Sequence, residues 1–440
     1  MNKEGVLSRL EEAGFKSYLV GGYVRDLLMG RPSSDIDIAT RAKPDQIKEV
    51  FKDFKTIDVG RSFGTIKLIA DEYEYEITTF RTDLSYRDKR RPDAVSFSDT
   101  IEEDLKRRDF TINAMALRNG KLVDPYGGQN DLKRKIIRAV GDSDERINED
   151  YLRALRAVRF ASTLGFDIDP NLKKAIRSKT KNLAYISVER QASEINKILL
   201  GDNPSRGIRL LDELGLLSEI FPEVSAMVGF NQHSPHHYLD CFDHSLKALD
   251  STKRDLPTRL AALFHDTGKP DTFFLDEEGK GRFFGHQKIS QKLAEKRLKY
   301  LKYPKKLITD VSILVSRHMD ASNTYTEKSV ARLLRRIGEE NLRRLFDLQG
   351  ADILATVHTD ISNIENARAL LKEILERKPP LSRKDLAIDG SDLIKLGYKE
   401  GPLIGKILNE IERAVFDENL TNNRDILLTL ARNLGEKLDR

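Results

Sequence analysis

Two aspartates one residue apart, Asp35 and Asp37 in Ser34-Asp35-Ile36-Asp37-Ile38, follow a glycine pair, Gly21-Gly22, near the start of a 440-residue chain. On a strand, residues two apart share a face, and two carboxylates so placed can hold Mg²⁺, which favours carboxylates, water and phosphate oxygens. Ions held there lower the charge on an attacking hydroxyl and on a leaving pyrophosphate. Gly21-Gly22 stands between an apolar run, Tyr18-Leu19-Val20, and a helical stretch. Such a turn lets the backbone approach a phosphate and aims free helix N–H groups at it. Arg25, one turn into the helix, adds a charged fork. Glu74 and Glu76 alternate on a later apolar run, and either can supply a third carboxylate; Glu76 is preferred, so the expected catalytic set is Asp35, Asp37 and Glu76.

A second chemical cluster lies further on. Seven of the eight histidines fall between His233 and His318. His244, the adjacent pair His265-Asp266, His286 and His318 are followed by Asp352, with Asp320 as the alternative last ligand. Imidazole suits Zn, Ni, Fe or Mn, and a bridging Asp266 can hold two ions. The single cysteine, Cys241, reads as a small packed residue.

These residues need elements to carry them. Strands are expected at Tyr18–Val20, Ile36–Ile38, Thr65–Ile69 and Tyr73–Thr78, so the first part is α/β. After about Ile137 apolar residues recur at helical spacing, with stops at Gly165, Gly201, Gly215 and Pro222. Joints are expected near Gly141, near Gly229-Phe230 and near Pro379-Pro380. No run of 18 apolar residues exists, and the start lacks an apolar leader, so neither a membrane span nor a secretory signal is expected. With one thiol the chain reads as cytoplasmic. The net charge of +5, from 75 basic and 70 acidic residues, is too small to argue nucleic-acid binding. The local runs Arg87–Arg91, Lys106–Arg108 and Lys133–Lys135 matter more.

Gly21-Gly22-x-Val24-Arg25-Asp26 with Asp35-x-Asp37 resembles motif A of the class II tRNA nucleotidyltransferase and bacterial poly(A) polymerase family. Arg107-Arg108-Asp109-Phe110-Thr111-Ile112-Asn113-Ala114 is similar to its motif B, and Glu149-Asp150-x-x-Arg153 to its Glu-Asp-x-x-Arg signature. Glu189-Arg190 with Glu194, and Asn203 to Gly207, look like its next helical motif, a support for the template site. Gly390-x-Asp392 and Gly401-Pro402-x-Ile404-Gly405 resemble its tail. The likeness spans nearly the whole chain and implies an α+β fold. It implies a polymerase-β-like nucleotidyltransferase head over 1–137 and a helical neck with the template and RNA-binding region over 138–229. An HD metal-binding domain follows over 230–379, and a helical tail that contacts tRNA over 380–440. The histidine order resembles the HD superfamily of metal-dependent phosphohydrolases.

The resemblance also implies roles. Gly21, Gly22, Arg25, Arg108, Arg156 and Arg159 surround the triphosphate, and Asn113 bonds a ribose hydroxyl. Asp150 and Arg153, read as i,i+3 on one helix, meet the base's Watson–Crick edge. Asp35 and Asp37 hold Mg²⁺, while His244, His265, Asp266, His286, His318 and Asp352 hold a transition metal. The stretch Phe80 to Asp93 looks like the loop that CCA-adding and A-adding enzymes carry and CC-adding enzymes lack. The expected activity is template-independent addition of CCA to tRNA from CTP and ATP. Addition of the terminal A alone, poly(A) synthesis, and a chain that is primarily an HD phosphohydrolase acting on RNA or nucleotides stay open as alternatives. Oligomeric state is open.

Overall fold

The computed structural model describes residues 1–33, 35–60, 64–83, 95–234, 238–322, 324–376, 383–417 and 420–438. The loop after Asp83, the basic run Arg87–Arg91, His236-His237 and the joint at Pro379-Pro380 lie outside them. Two compact units result: Met1–Ser225 with Tyr300–Lys302, and Ala226–Lys299 with Tyr303–Arg440.

The first unit holds a seven-stranded sheet. Its strands are β1 (Ser17–Val20), β2 (Ile36–Thr40), β3 (Lys55–Gly60), β4 (Thr65–Ala70) and β5 (Tyr73–Thr79), then, past the short pair β6 (Arg81–Asp83) and β7 (Val95–Phe97), β8 (Ala116–Arg118) and β9 (Lys121–Val123). The order is β3-β4-β5-β2-β1-β8-β9. β2 and β5 run parallel, with Asp37 opposite Glu76, and β4 and β5 antiparallel, with Lys67 opposite Glu76. Alternation sorts the faces. Ile36, Ile38, Ile66, Leu68, Tyr75 and Ile77 are buried in one core with Val6 and Leu10 of the helix Lys3–Glu12 and Ile47 of the helix Pro44–Val50. Asp37 and Glu76, one step out of phase, fall on the opposite face, which is therefore polar.

The four strands expected from the sequence are present, each extended by one or two residues. Asp35 is a correction: it precedes β2 instead of sitting within it. The helices that follow obey their caps. The Asp142 side chain accepts from the first-turn N–H groups of Ser143–Glu149, and Asp169 does so for Pro170–Arg177, which has proline in its first turn. Leu152–Leu164 stops at Gly165, whose φ of +71° suits glycine.

Among the described residues the regular structure of the second unit is helical apart from one small hairpin, Phe274–Leu275 with Gly281–Arg282. Its helices Cys241–Ser251, Leu256–Phe264, His286–Tyr300, Lys305–Arg317 and Glu327–Leu354 carry or directly precede the histidines and Asp352. The helices Gly390–Lys395, Pro402–Asp417 and Arg424–Leu438 close around their own core, which includes Leu393, Ile407, Ile411, Leu427 and Ala431. Cys241 is fully buried, as a packing residue. The whole is a mixed α+β chain with a helical C-terminal region. Among the described residues no helix is long and apolar enough to cross a membrane.

Candidate active site and metal centre

An open cavity of about 790 Å³ lies in the first unit, and every head and neck residue expected above to meet Mg²⁺ or the nucleotide lines it. Its floor is the polar sheet face. Asp35, Asp37 and Glu76 meet there. Burial, and then the charge of Asp35, push the Asp37 carboxyl up to about 7, against the pull of Arg108 and Arg25. Burial and Asp35 also raise Glu76. Carboxylates crowded this way favour a bound cation over water. Register places Glu76 beside Asp37, whereas Glu74 pairs with Lys67 at 2.5 Å.

Gly21 begins the helix Gly21–Leu28 with φ +66°. A Cβ there would stand 2.9 Å from Arg108 Nη1 and 3.0 Å from Asp37 Oδ2. The bare backbone is thus what lets a guanidinium and a carboxylate converge over this turn. Arg25 donates from Nη1 to Asn113 Oδ1 at 2.9 Å and forks onto Asp26 at 2.9 Å twice. Asn113 donates in turn to Asp109 Oδ1 at 3.2 Å. Asp109 also takes the fork of Arg156 at 2.6–2.7 Å. Burial raises the Asp109 carboxyl, but Arg156, Asn113 and Arg153 outweigh it and hold it at about 2. Arg159 pairs with Glu194 at 3.0 Å. Arg25, Arg156 and Arg159 all stand over the Phe160 ring, at 5.2, 5.5 and 4.2 Å. The cavity wall is therefore strongly cationic above an acidic floor, the electrostatics a metal-bound triphosphate needs.

The Asp150–Arg153 pair needs a second correction. Asp150 is not on a helix with Arg153. It ends Ser143–Glu149 with extended φ −145° and ψ 106°, and the next helix starts at Leu152. Both side chains still line the cavity. Asp150 Oδ1 accepts from Leu152 N–H at 3.0 Å and Oδ2 from Arg190 Nη2 at 2.7 Å. Arg153 is held by Glu149 and by the Arg146 carbonyl at 2.9 Å. Arg190, Arg107, Asp109 and Arg81 line the cavity too and were given no contact there by sequence reasoning. For Arg190 a signal existed, its place in the helical motif after the Asp150–Arg153 pair.

In the second unit four imidazoles and two carboxylates meet. His244 Nε2 lies 2.9 Å from Asp352 Oδ1, 3.6 Å from Asp266 Oδ2 and 3.3 Å from His265 Nε2. His286 Nε2 lies 3.2 Å from His318 Nε2 and 3.3 Å from Asp266 Oδ1. The two oxygens of Asp266 thus face two separate histidine pairs. The sets His244/His265/Asp266 and Asp266/His286/His318 each bring their ligand atoms within 4.8 Å. The Nδ1 atoms of His265, His286 and His318 rest on the carbonyls of Ala262, Phe283 and Val315 at 2.7–2.9 Å, which turns every Nε2 inward. Burial opposes charge on His265, but Asp266 and Asp352 outweigh it and raise it to about 10; burial and then His265 depress His318 to about 4. Asp266 Oδ2 lies 2.7 Å from Lys269 Nζ yet receives no well-directed hydrogen bond. Asp320 pairs with Arg317 at 3.0 Å, outside the cluster, which leaves Asp352 as the sixth member.

Known proteins are similar to this chain over nearly its whole length. A poly A polymerase head domain model matches residues 17–138, a probable RNA and SrmB-binding site of polymerase A matches 165–227, and a tRNA nucleotidyltransferase domain 2 model matches 282–431. The CCA-adding enzyme of Geobacillus sp. (strain WCH70) is 36% identical, covering 96% of this chain and 94% of its own. That of Ligilactobacillus salivarius is 34% identical, covering 98% and 96%. The Bacillus stearothermophilus CCA-adding enzyme in complex with CTP superimposes with a TM-score of 0.73 at 31% identity, covering 99% of this chain and 98% of its own.

Proposed function

We propose a residue-level mechanism from one premise: the chain belongs to the CCA-adding enzyme family, whose members match it over nearly its whole length. It is a tRNA nucleotidyltransferase that adds CCA to the tRNA 3′ end without a nucleic-acid template, using CTP and ATP and releasing pyrophosphate. The residue roles are our reading. Asp35, Asp37 and Glu76 would hold Mg²⁺, whose charge eases the attacking 3′-oxygen and the departing pyrophosphate. The crowding of those carboxylates supports this. Gly21 and Gly22 admit the triphosphate against the backbone, with Arg25, Arg108, Arg156 and Arg159 as its cationic wall. Asn113, tethered between Arg25 and Asp109, meets the ribose.

Base choice falls to Asp150 and Arg153. Cytosine and adenine each present an exocyclic amine to a carboxylate and a ring acceptor to a guanidinium. Uracil and guanine turn a carbonyl toward the carboxylate and leave polar groups unpaired, which supports strong rejection. The observation that carries this reading is the convergence on one cavity of a crowded carboxylate cluster and the Asp150–Arg153 pair.

In the second unit, His244, His265, Asp266, His286, His318 and Asp352 would hold a divalent transition metal, Ni, Mn, Fe or Zn, that activates water for phosphoester hydrolysis. The inward-facing Nε2 atoms and the two Asp266 oxygens, each set against a different histidine pair, fit such an ion. We divide the chain into head (1–137), neck (138–229), HD domain (230–379) and tail (380–440), the tail on tRNA, and place the protein in the cytoplasm, where tRNA matures. The test is single-turnover incorporation on tRNA ending before CCA and on tRNA ending in CC. The wild type adds three residues and one residue respectively. Asp35→Ala and Asp37→Ala add none while still binding tRNA. Near-normal incorporation by either variant removes that residue from the mechanism, and addition to the CC-ending tRNA alone would mark an A-adding enzyme.

A further inference from the structure

Behind the cationic wall is a carboxylate that is not itself among the cavity-lining residues. Asp104, on the helix Ile101–Lys106, is 0% exposed. Its Oδ1 accepts from Arg107 Nε and Nη2 at 2.9 and 2.7 Å, and its Oδ2 from Arg108 Nε and Nη2 at 3.3 and 3.1 Å. One buried carboxylate therefore gives an oxygen to each of two guanidiniums, and both arginines line the cavity. Burial favours its neutral form, yet Arg107 and Arg108 outweigh burial and hold it below the usual carboxylate range. Burying an anion is costly even when paired. A fully buried helix position next to Leu105 calls for an apolar side chain if only the fold is served.

What the carboxylate does achieve is orientation. With Nε and Nη2 gripped from behind, the Arg108 plane cannot rotate. Its remaining nitrogen, Nη1, lies 3.4 Å from the Asn113 carbonyl and faces the bare Gly21 turn beside Asp37. An ungripped guanidinium so close to Asp37 would swing onto that carboxylate, closing the space a phosphate needs. The neighbouring Arg107 is fixed by the same anion, and its carbonyl accepts from Arg153 Nη2 at 3.3 Å.

We propose that Asp104 is a positioning residue for the incoming nucleotide, aiming the Arg107 and Arg108 guanidiniums at the triphosphate and keeping Arg108 off Asp37. It rests on the reading that Arg108 grips the triphosphate, and it acts on the phosphates and not on the base. Preorganised donors of this kind bind without reorganising when the ligand arrives.

The test uses the full-length enzyme with CTP, ATP, inorganic tripolyphosphate and cytidine. Asp104→Asn keeps the shape and removes the charge. The KM for CTP and for ATP should rise together by about tenfold or more, and the tripolyphosphate inhibition constant by a similar factor. The cytidine inhibition constant, the preference for CTP over UTP and kcat at saturation should stay within about twofold. A purely structural role would instead lower kcat and the melting temperature and leave the ratio of tripolyphosphate to cytidine binding unchanged, and that result overturns the proposal. Arg108→Ala separates the premises. If it leaves tripolyphosphate binding intact, the phosphate reading of Arg108 fails. If it weakens tripolyphosphate while Asp104→Asn does not, the Asp104 proposal fails alone. In the double variant the two losses should be clearly less than multiplicative. Asp104→Ser, which removes the anion without adding N–H groups against the guanidiniums, is read the same way. A chain that folds with neither substitution makes Asp104 a residue of the fold and overturns the proposal.

Discussion

Replacing Asp37 by asparagine should stabilise the metal-free protein while it destroys activity. Without cations, burial and the charge of Asp35 carry the Asp37 carboxyl from 3.8 up to about 7. An acid whose folded pKa is raised weakens the fold as pH rises. Below about 4 both states hold the proton and nothing is lost; between about 4 and 7 the folded state holds it more tightly than the unfolded one; above about 7 the full penalty is present. At about 1.4 kcal/mol per pK unit the rise sets a ceiling of roughly 4 kcal/mol. Asp37 is only partly buried, on the floor of an open cavity, so solvent screens part of this and ~1–3 kcal/mol remains. The asparagine side chain is nearly isosteric with aspartate and carries no charge. In EDTA at pH 8, Asp37→Asn should therefore melt several degrees above the wild type, at about 2–4 °C per kcal/mol for a unit of this size. The gain should fade as the pH falls toward 4. Mg²⁺ should narrow it, because the cation binds and stabilises the wild type far better. Nucleotide incorporation should drop to background with tRNA binding retained. Scanning calorimetry over pH 4–8, with and without Mg²⁺, reads all of this. A variant less stable than the wild type at pH 8 in EDTA, or a gain that is the same at both ends of the pH range, would refute the electrostatic account of this site.

Three further outcomes follow from the geometry. Arg190→Ala frees Asp150 Oδ2 from its 2.7 Å partner and should raise UTP and GTP misincorporation by about tenfold, the weight of one charged hydrogen bond, while the KM for tRNA holds; unchanged discrimination would remove Arg190 from base reading. Gly21→Ala puts a Cβ within 3.0 Å of both Arg108 and Asp37 at a φ of +66°, so the KM for both nucleotides should climb together by at least about tenfold, with the strain costing about 1–3 kcal/mol; a normal KM would show that the turn does not seat the triphosphate. Asp266→Ala or His265→Ala should strip transition metal from the purified protein, read by elemental analysis, and abolish any metal-dependent phosphatase or phosphodiesterase activity while nucleotide addition continues. Loss of both activities together would point to a damaged fold.

The floor of the site was legible in the sequence because strand alternation is a rigid rule: Asp37 and Glu76 had to face away from Ile36, Ile38, Tyr75 and Ile77. The choice of Glu76 over Glu74 needed the pairing of β2 with β5, a contact between segments far apart in the chain. Asp352 ranked above Asp320 only through the resemblance to the HD pattern, and it is packing that brings it beside His244. The strands at Lys55–Gly60, Ala116–Arg118 and Lys121–Val123 went unread because they are charged or short and owe their state to neighbours rather than to propensity. Asp150 defeated the helical reading because its i,i+3 spacing to Arg153 spans a break that neither glycine nor proline marks. Asp104 was invisible for a related reason. In Glu102-Glu103-Asp104 it looks like one more acid on a solvated helix start, and burial is a property of the fold.

The most direct test of protein-templated selection is to sequence tRNA 3′ ends after incubating the enzyme with Mg²⁺, all four nucleoside triphosphates and tRNA that ends at the position before CCA. The chain's membership of the CCA-adding family predicts C, C and A in that order with no further extension, and the Asp150–Arg153 pair in the cavity predicts that U and G are rare. Ends that carry U or G in proportion to supply, or tails that run on past the third nucleotide, would contradict it.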